Sequence, residues 1–338
     1  MDGTLLKIYC GEMPGFLRRA ASAPALMRLA DVGMNCGCEY TSFPRFAGLR
    51  PYSRYEHSVG AGLITWRFTG DVRQALSALF HDIATPCFAH VVDFLNGDHL
   101  VQESTEDGTA EAIARSPEIR AVLEACGLDA ADVADYHAFP IADNDTPRLS
   151  ADRLEYTLGN TVNYRIGSVA EVRAMYADLT VGTAEDGAPE LMFRHEGPAR
   201  RFCACAMRCS EIYVSDDDRC AMQALAELLG DAIDAGVLTR ADLMRTEREV
   251  IARLEGDGVF RGRWRDFRAL NASQRGAAGE ACPAAEGWRV IPAKRRWIDP
   301  LIDGVRATRR FPEYAGAVEA FLGRSQAEPV RAVVRRAP

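Results

Sequence analysis

The run Ala78-Leu79-Phe80-His81-Asp82-Ile83-Ala84-Thr85-Pro86-Cys87-Phe88-Ala89-His90-Val91-Val92-Asp93 sets two histidines and two aspartates in an apolar surround. A stretch with so many apolar neighbours belongs in a core, where an unpaired charge or imidazole costs several kcal/mol. Its polar groups must therefore be paired or metal-bound. Just upstream, Ala75, Leu76, Leu79, Phe80 and Ile83 recur at helical spacing, which predicts a helix over 72–83 ending on His81-Asp82. A second helix is expected over 88–95, stopped by Asn96-Gly97, with His90 and Asp93 one turn apart on a shared face.

Two further motifs lie to either side. Ser53-Arg54-Tyr55-Glu56-His57-Ser58-Val59-Gly60 opens a helical pattern over 55–68 that Gly70-Asp71 stops. Ala151-Asp152-Arg153-Leu154-Glu155-Tyr156 falls in a helix expected over 149–158. Together, His57, His81, Asp82 and Asp152 are two imidazoles and two carboxylates on three separate helices, a complete ligand set for one divalent metal. Mixed nitrogen and oxygen ligation suits iron, manganese, nickel or zinc, with magnesium also admissible, better than calcium. Such an ion polarises a phosphoryl oxygen and lowers the pKa of bound water.

The rest of the chain reads as mostly helical. Residues 1–34 are expected to start extended and then form a helix over 23–32, with Pro24 in its first turn. Helices are expected over 109–114, 117–126, 199–213, 218–235 and 240–255, the last capped by Thr239 with Asp242 in its first turn. Segments 177–181 and 190–194 flank a turn-rich stretch and predict a β-hairpin. Further on, a loop over 272–287, edge strands over 288–291 and 296–298, a closing helix over 314–322 and a frayed tail over 331–338 are expected. The fold class is mainly α, with a small hairpin and a mixed, β-poor C-terminal part. Residues 1–255 form the core in this reading and 256–338 an extension packed on it.

Composition narrows the function. The net charge of −8 argues against a general nucleic-acid surface, though not against a local basic pocket. No apolar run of about 18 residues is present, so no membrane span is expected. The start lacks the basic flank and apolar core of a signal peptide, and a cytoplasmic protein with reduced thiols is the expectation. Among ten cysteines, only Cys36/Cys38 and Cys203/Cys205 are tightly spaced, without the spacing of a zinc knuckle, so they read as small buried hydrophobes.

The order His57, His81-Asp82, Asp152 in a helical chain resembles the HD-domain metal-dependent phosphohydrolase superfamily. The likeness extends toward its deoxynucleoside triphosphate triphosphohydrolase branch, which includes the dGTPases. Ala23-Pro24 with Met27-Arg28-Leu29, Phe43-Pro44, Arg54 to Gly60, Pro86 to Asp93, Asp152-Arg153 with Tyr156, and Lys294 to Leu301 follow that branch's order. The resemblance implies an HD helical core with His57, His81, Asp82 and Asp152 on the metal. It implies Arg54 on a substrate phosphate, His90 as phosphate contact with Asp93 behind a proton-transferring His, Tyr156 against the sugar and Asn35 near the nucleoside. It also implies a nucleotide or related phosphate ester as substrate and a homo-oligomeric assembly.

The departures from that pattern are specific. Thr85 stands in the substrate pocket where the branch has a His, and a hydroxyl cannot replace its acid chemistry. Gln102 stands where a second His is expected, with His99 as a neighbour able to substitute. Asn160 replaces an Asp that contacts the sugar, and extra residues fall within 45–51. Two functional readings follow: a phosphohydrolase acting on a nucleotide (possibly a dNTP) or similar ester, or a weakened relative that binds metal and nucleotide in a regulatory or assembly role. His137 and His195 read as surface residues, Asp216-Asp217-Asp218 as a helix start, and Lys294-Arg295-Arg296 and Arg309-Arg310 as solvated basic faces.

Overall fold

A computed structural model describes residues 4–97, 108–277 and 282–335. His99 and Gln102 lie outside the described residues. The chain is mainly α-helical with two small sheets, as the periodicity implied.

Three helices carry the centre. Arg54–Thr69 begins with a capping box: Ser53 accepts from the Glu56 amide, and the Glu56 carboxylate accepts from the Ser53 amide. Gly70 ends it in a left-handed conformation, φ 64°, which a residue without a Cβ adopts freely. Asp71 then caps Val72–Phe80 by accepting from the amides of Arg73 and Gln74. The two helices pack closely because Gly62 has no side chain; a Cβ there would lie 3.1 Å from the Ala75 carbonyl oxygen and 3.2 Å from Leu79 Cβ. The third helix, Ala151–Asn163, is capped by Ser150 and crosses Arg54–Thr69. Leu63, Ile64, Leu76, Leu79, Leu154 and Leu158 are buried in one core between them.

The short Val91–Asn96 helix packs on the long Asp216–Asp234 helix, around which a second core gathers Phe43, Phe88, Leu225, Leu229 and Trp264. The hairpin pairs Leu179–Thr183 with Pro189–Phe193 antiparallel, and Met192 and Phe193 continue parallel onto Leu301 and Ile302. Ala272–Arg275 pairs antiparallel with Val330–Val333.

Several local expectations are corrected. The start is helical over Thr4–Tyr9 and Gly15–Ala21, not extended, and its Leu5, Tyr9 and Leu17 are buried. Residues 240–255 split into a 3-10 turn, Arg240–Met244, and a helix, Glu247–Gly256, because Thr246 caps a new helix in the middle. Gly258–Ala269 is a further helix, capped by Asp257, that the sequence signal did not reveal. The expected loop at 272 and frayed tail at 331 meet as strands, since each supplies the other's hydrogen bonds. The strand expected at 288–291 is reduced to one bridge, Arg289 to Val330, and none forms over 296–298. The cysteines of the two tight pairs, Cys36/Cys38 and Cys203/Cys205, are buried free thiols. Among the described residues no helix is long and apolar enough to cross a membrane.

Candidate metal centre

The core helices bring His57, His81 and Asp152 together. One ligand atom from each lies within 4.8 Å of the others. His57 sits in the first turns of its helix, His81 caps the end of the next, and Asp152 lies in the first turn of the third. Helix ends leave backbone groups free to hold side chains, and His81 Nδ1 donates to the Ala78 carbonyl at 2.7 Å. A carbonyl only accepts, so that nitrogen carries the proton and Nε2 holds a lone pair.

His57 is fixed in the same way from the other side. Its Nδ1 donates at 2.7 Å to Glu155 Oε2, which also accepts from the Tyr52 hydroxyl at 2.5 Å. The two Nε2 atoms then face each other at 3.1 Å, with Asp152 Oδ1 3.0 Å from one and 3.5 Å from the other. Converging acceptors repel unless a proton or a cation lies between them. Burial opposes charging of His57, yet its hydrogen bonds to Asp152 and Glu155 prevail and raise its pKa to about 10. Against burial, hydrogen bonds to the two imidazoles hold the Asp152 carboxyl well below its ordinary value. Tethered imidazoles beside a carboxylate fit a borderline divalent ion held by nitrogen and oxygen.

Asp82 stands beside this group, with Oδ2 3.5 Å from His81 Nε2 and 3.8 Å from His57 Nε2. Both of its oxygens are already engaged. Arg54 Nη1 donates to them at 3.0 and 2.8 Å, and Thr85 donates to Oδ1 at 2.8 Å. Against burial, Arg54 and the two imidazoles hold the Asp82 carboxyl far below the ordinary range. Thr85 is thus a partner of Asp82 and does not line the cavity.

A cavity of about 420 Å³ opens on the group and receives Arg54, His90, Tyr156 and Asn35 in its lining. That size suits a small organic ligand. Asp93 is buried beneath His90 and accepts from its Nδ1 at 2.9 Å, while Arg296 Nη2 meets His90 Nε2 at 3.3 Å. Burial lowers the His90 pKa, the Asp93 hydrogen bond resists, and Arg296 and Arg54 depress it further, to about 4. Asn35 accepts from the Tyr164 hydroxyl at 2.9 Å.

Two groups read as surface residues also reach the cavity. Lys294, Arg295 and Arg296 line it, Lys294 itself remaining exposed, and Arg295 is tied to the Leu322 and Arg324 carbonyls. His137 is exposed, as expected, but at the rim of the cavity, 3.2 Å from Asp143 and packed on Tyr136 with ring centroids 4.2 Å apart. His195 likewise lies at the surface, paired with Asp178. Glu155 and Tyr52 were not singled out in the sequence. A signal existed for Glu155: a carboxylate one turn beyond Asp152, on the same face of its helix. Gly60 and Gly159 make room for the pair; a Cβ would lie 2.5 Å from Glu155 Cγ at the first and 2.2 Å from the Tyr52 hydroxyl at the second.

No family model matches the chain. It is 24% identical over 202 residues to an uncharacterized protein, YdhJ, of Bacillus subtilis, covering 59% of this chain and 60% of that one. It is 28% identical over 151 residues to the metal-dependent phosphohydrolase cns2 of Cordyceps militaris, 42% of each chain. The chain thus spans about half the length of the curated relatives it matches. This distant likeness and the His-His-Asp group together support the metal-dependent phosphohydrolase class, with a metal ion of unassigned identity.

Proposed function

We propose that this chain is an HD-type metal-dependent phosphohydrolase acting on a nucleotide or a related phosphate ester. One observation carries the reading. Two imidazoles, each pinned through Nδ1, aim their Nε2 atoms at one point beside Asp152, at the edge of a cavity lined by cationic side chains. His57, His81 and Asp152 would hold the ion, with Asp82 as fourth ligand alongside its Arg54 contact. A bound divalent ion there supplies charge to a phosphoryl oxygen and acidity to a water.

The chain's own groups do the remainder. Arg54 and Arg296 offer guanidinium forks to phosphoryl oxygens, for which their geometry is suited. A phosphate that took the Arg296 contact would free His90 Nε2, and Asp93 would steady the imidazole as it accepted a proton. Because His90 titrates near about 4, it is neutral at physiological pH and serves as an acceptor rather than an acid. Tyr156, whose ring lies 6.5 Å from that of His57, would bound the group esterified to phosphate. A dNTP substrate is the finer form of this proposal.

Phosphate release by the Mn2+- or Fe2+-loaded protein should be measured over dNTPs, NTPs, nucleoside monophosphates and p-nitrophenyl phosphate. Release is expected from at least one. Asp152→Ala should abolish it and weaken metal binding beyond the roughly 100-fold that loss of an outer partner of a ligand costs. No release anywhere, together with nucleotide-induced thermal stabilisation, would sink the enzyme reading in favour of a binding role.

A further inference from the structure

The cavity has a second end that the phosphate chemistry does not use. From His57 a wall of rings leads away from the metal group: Tyr156 at 6.5 Å, then Tyr213 at 6.3 Å, then Tyr164 at 6.4 Å between centroids. Tyr164 donates to Asn35 Oδ1, and Asn35 Nδ2 makes no hydrogen bond among the described residues. Phe94 and Met222 add apolar surface to the same cavity.

Asp218 also lines this cavity, from the first turn of Asp216–Asp234. Its two acidic neighbours are occupied: Asp216 pairs with Arg219 and Arg275, and Asp217 accepts from Ser273 at 2.7 Å. Asp218 is 7% exposed and, among the described residues, has no ion pair. The hydrogen bond to its side chain comes from the Cys38 thiol at 3.9 Å, a weak donor. An uncompensated buried carboxylate is costly, so the neutral acid is the stable form. Burial pushes its pKa well above the usual range in agreement.

We propose that Asp218, with Asn35, reads the polar edge of a planar nucleobase on which a donor stands beside an acceptor, as the exocyclic amine and ring nitrogen do on adenine and cytosine. A neutral carboxyl presents a donor and an acceptor side by side, in either order because the proton can sit on either oxygen, which complements such an edge. An ionised carboxylate presents two acceptors and would instead match guanine. The ring wall bounds the base faces, and Asn35 Nδ2 supplies one more donor. The assignment rests on the phosphohydrolase reading for placing phosphate at the metal end.

The test compares AMP with purine riboside 5′-monophosphate, which lacks the exocyclic amine, and GMP alongside, on the full Mn2+-loaded chain, by affinity from thermal shift. Thermal shift reads base preference whether or not a bond is cut, while p-nitrophenyl phosphate turnover by the wild type reads the phosphohydrolase assignment separately. AMP should bind about tenfold tighter than the purine riboside monophosphate, the worth of one buried hydrogen bond. Asp218→Asn, which keeps a donor beside an acceptor, should retain the preference; Asp218→Leu should erase it with metal content unchanged. Equal affinity of AMP and purine riboside monophosphate, a GMP preference lost in Asp218→Asn, or an unchanged ratio in Asp218→Leu would each overturn the proposal.

Discussion

Replacing Glu155 with Gln should loosen the metal site without touching a proposed ligand. Oε2 accepts from both His57 Nδ1 and the Tyr52 hydroxyl, so one buried oxygen holds the imidazole that must present Nε2. Glutamine keeps one oxygen acceptor but no charge. A hydrogen bond to a charged group is worth about 1.5–3 kcal/mol and a neutral one about 0.5–1.5. The loss is therefore about 1–1.5 kcal/mol, or roughly tenfold in affinity at about 1.4 kcal/mol per decade. Glu155→Leu removes the acceptor altogether and should approach the roughly 100-fold limit seen for outer partners of metal ligands. Gly60→Ala provides an independent route, since its Cβ would sit 2.5 Å from Glu155 Cγ and displace the carboxylate. Mn2+ affinity is measured by competition with a chelator, with metal content by elemental analysis and folding by circular dichroism. Folded Glu155→Gln and Glu155→Leu that both bind Mn2+ within twofold of wild type would refute the claim that Glu155 sets the His57 orientation.

Two pH-linked outcomes follow from other groups. His90 titrates near about 4, burial being the largest cause and the Arg296 and Arg54 charges adding to it against Asp93, so Arg296→Gln should move its pKa upward. Nitrogen NMR of the imidazole reads this directly, and an unchanged titration would dismiss the Arg296 coupling. Glu39 is raised to about 8, by burial first and by Glu247 next, and its Oε2 is enclosed with no hydrogen-bond partner among the described residues. The folded state then holds a proton that the unfolded chain, at the ordinary 4.5, releases, so this contribution is full below 4.5 and lost as pH rises through about 8. Glu39→Gln should remove that fall and stabilise the protein at pH above 8 by roughly 1–3 kcal/mol. Thermal unfolding at acidic and alkaline pH checks it, and a variant with the wild-type pH slope would count against the proton held on Glu39.

The helices around the centre were legible because each is bounded by its own caps, Ser53 with Glu56, Gly70 with Asp71, and Ser150, and because Val72–Phe80 and Ala151–Asn163 are amphipathic. The same local signals located His57, His81 and Asp152, because a polar side chain on a buried face needs a reason to be there. What the sequence hid was pairing over distance. Nothing local tells that residues 272–275 meet residues 330–333, or that Tyr52 reaches Glu155. Lys294 to Arg296 look like an exposed basic run because their setting is supplied by remote partners: the Asp299 amide donates to the Pro147 carbonyl, and Gln326 accepts from the Ala293 amide. Composition assigns charge to a segment but not the side on which that charge falls.

Those remote ties also explain how the hairpin bears on the site. Arg306, from the last third of the chain, donates to both oxygens of Glu190, which is fully buried on the second hairpin strand, and also to Glu185 in the hairpin loop. Glu190 Oε1 accepts in turn from the Leu149 amide at 3.0 Å, and Leu149 immediately precedes the Ser150 cap of the helix that carries Asp152 and Glu155. A buried carboxylate keeps its charge only with a partner, so Arg306 is what allows Glu190 to sit there and grip Leu149. Arg306 Nη1 donates also to the Asp299 carbonyl at 2.8 Å, three residues from Arg296. One guanidinium therefore joins the segment that brings Arg296 to His90 with the segment that starts the Asp152 helix. The C-terminal part thus contributes cations to the cavity wall and, through Arg306, helps fix the entry of the helix that supplies both a metal-facing carboxylate and the group behind His57.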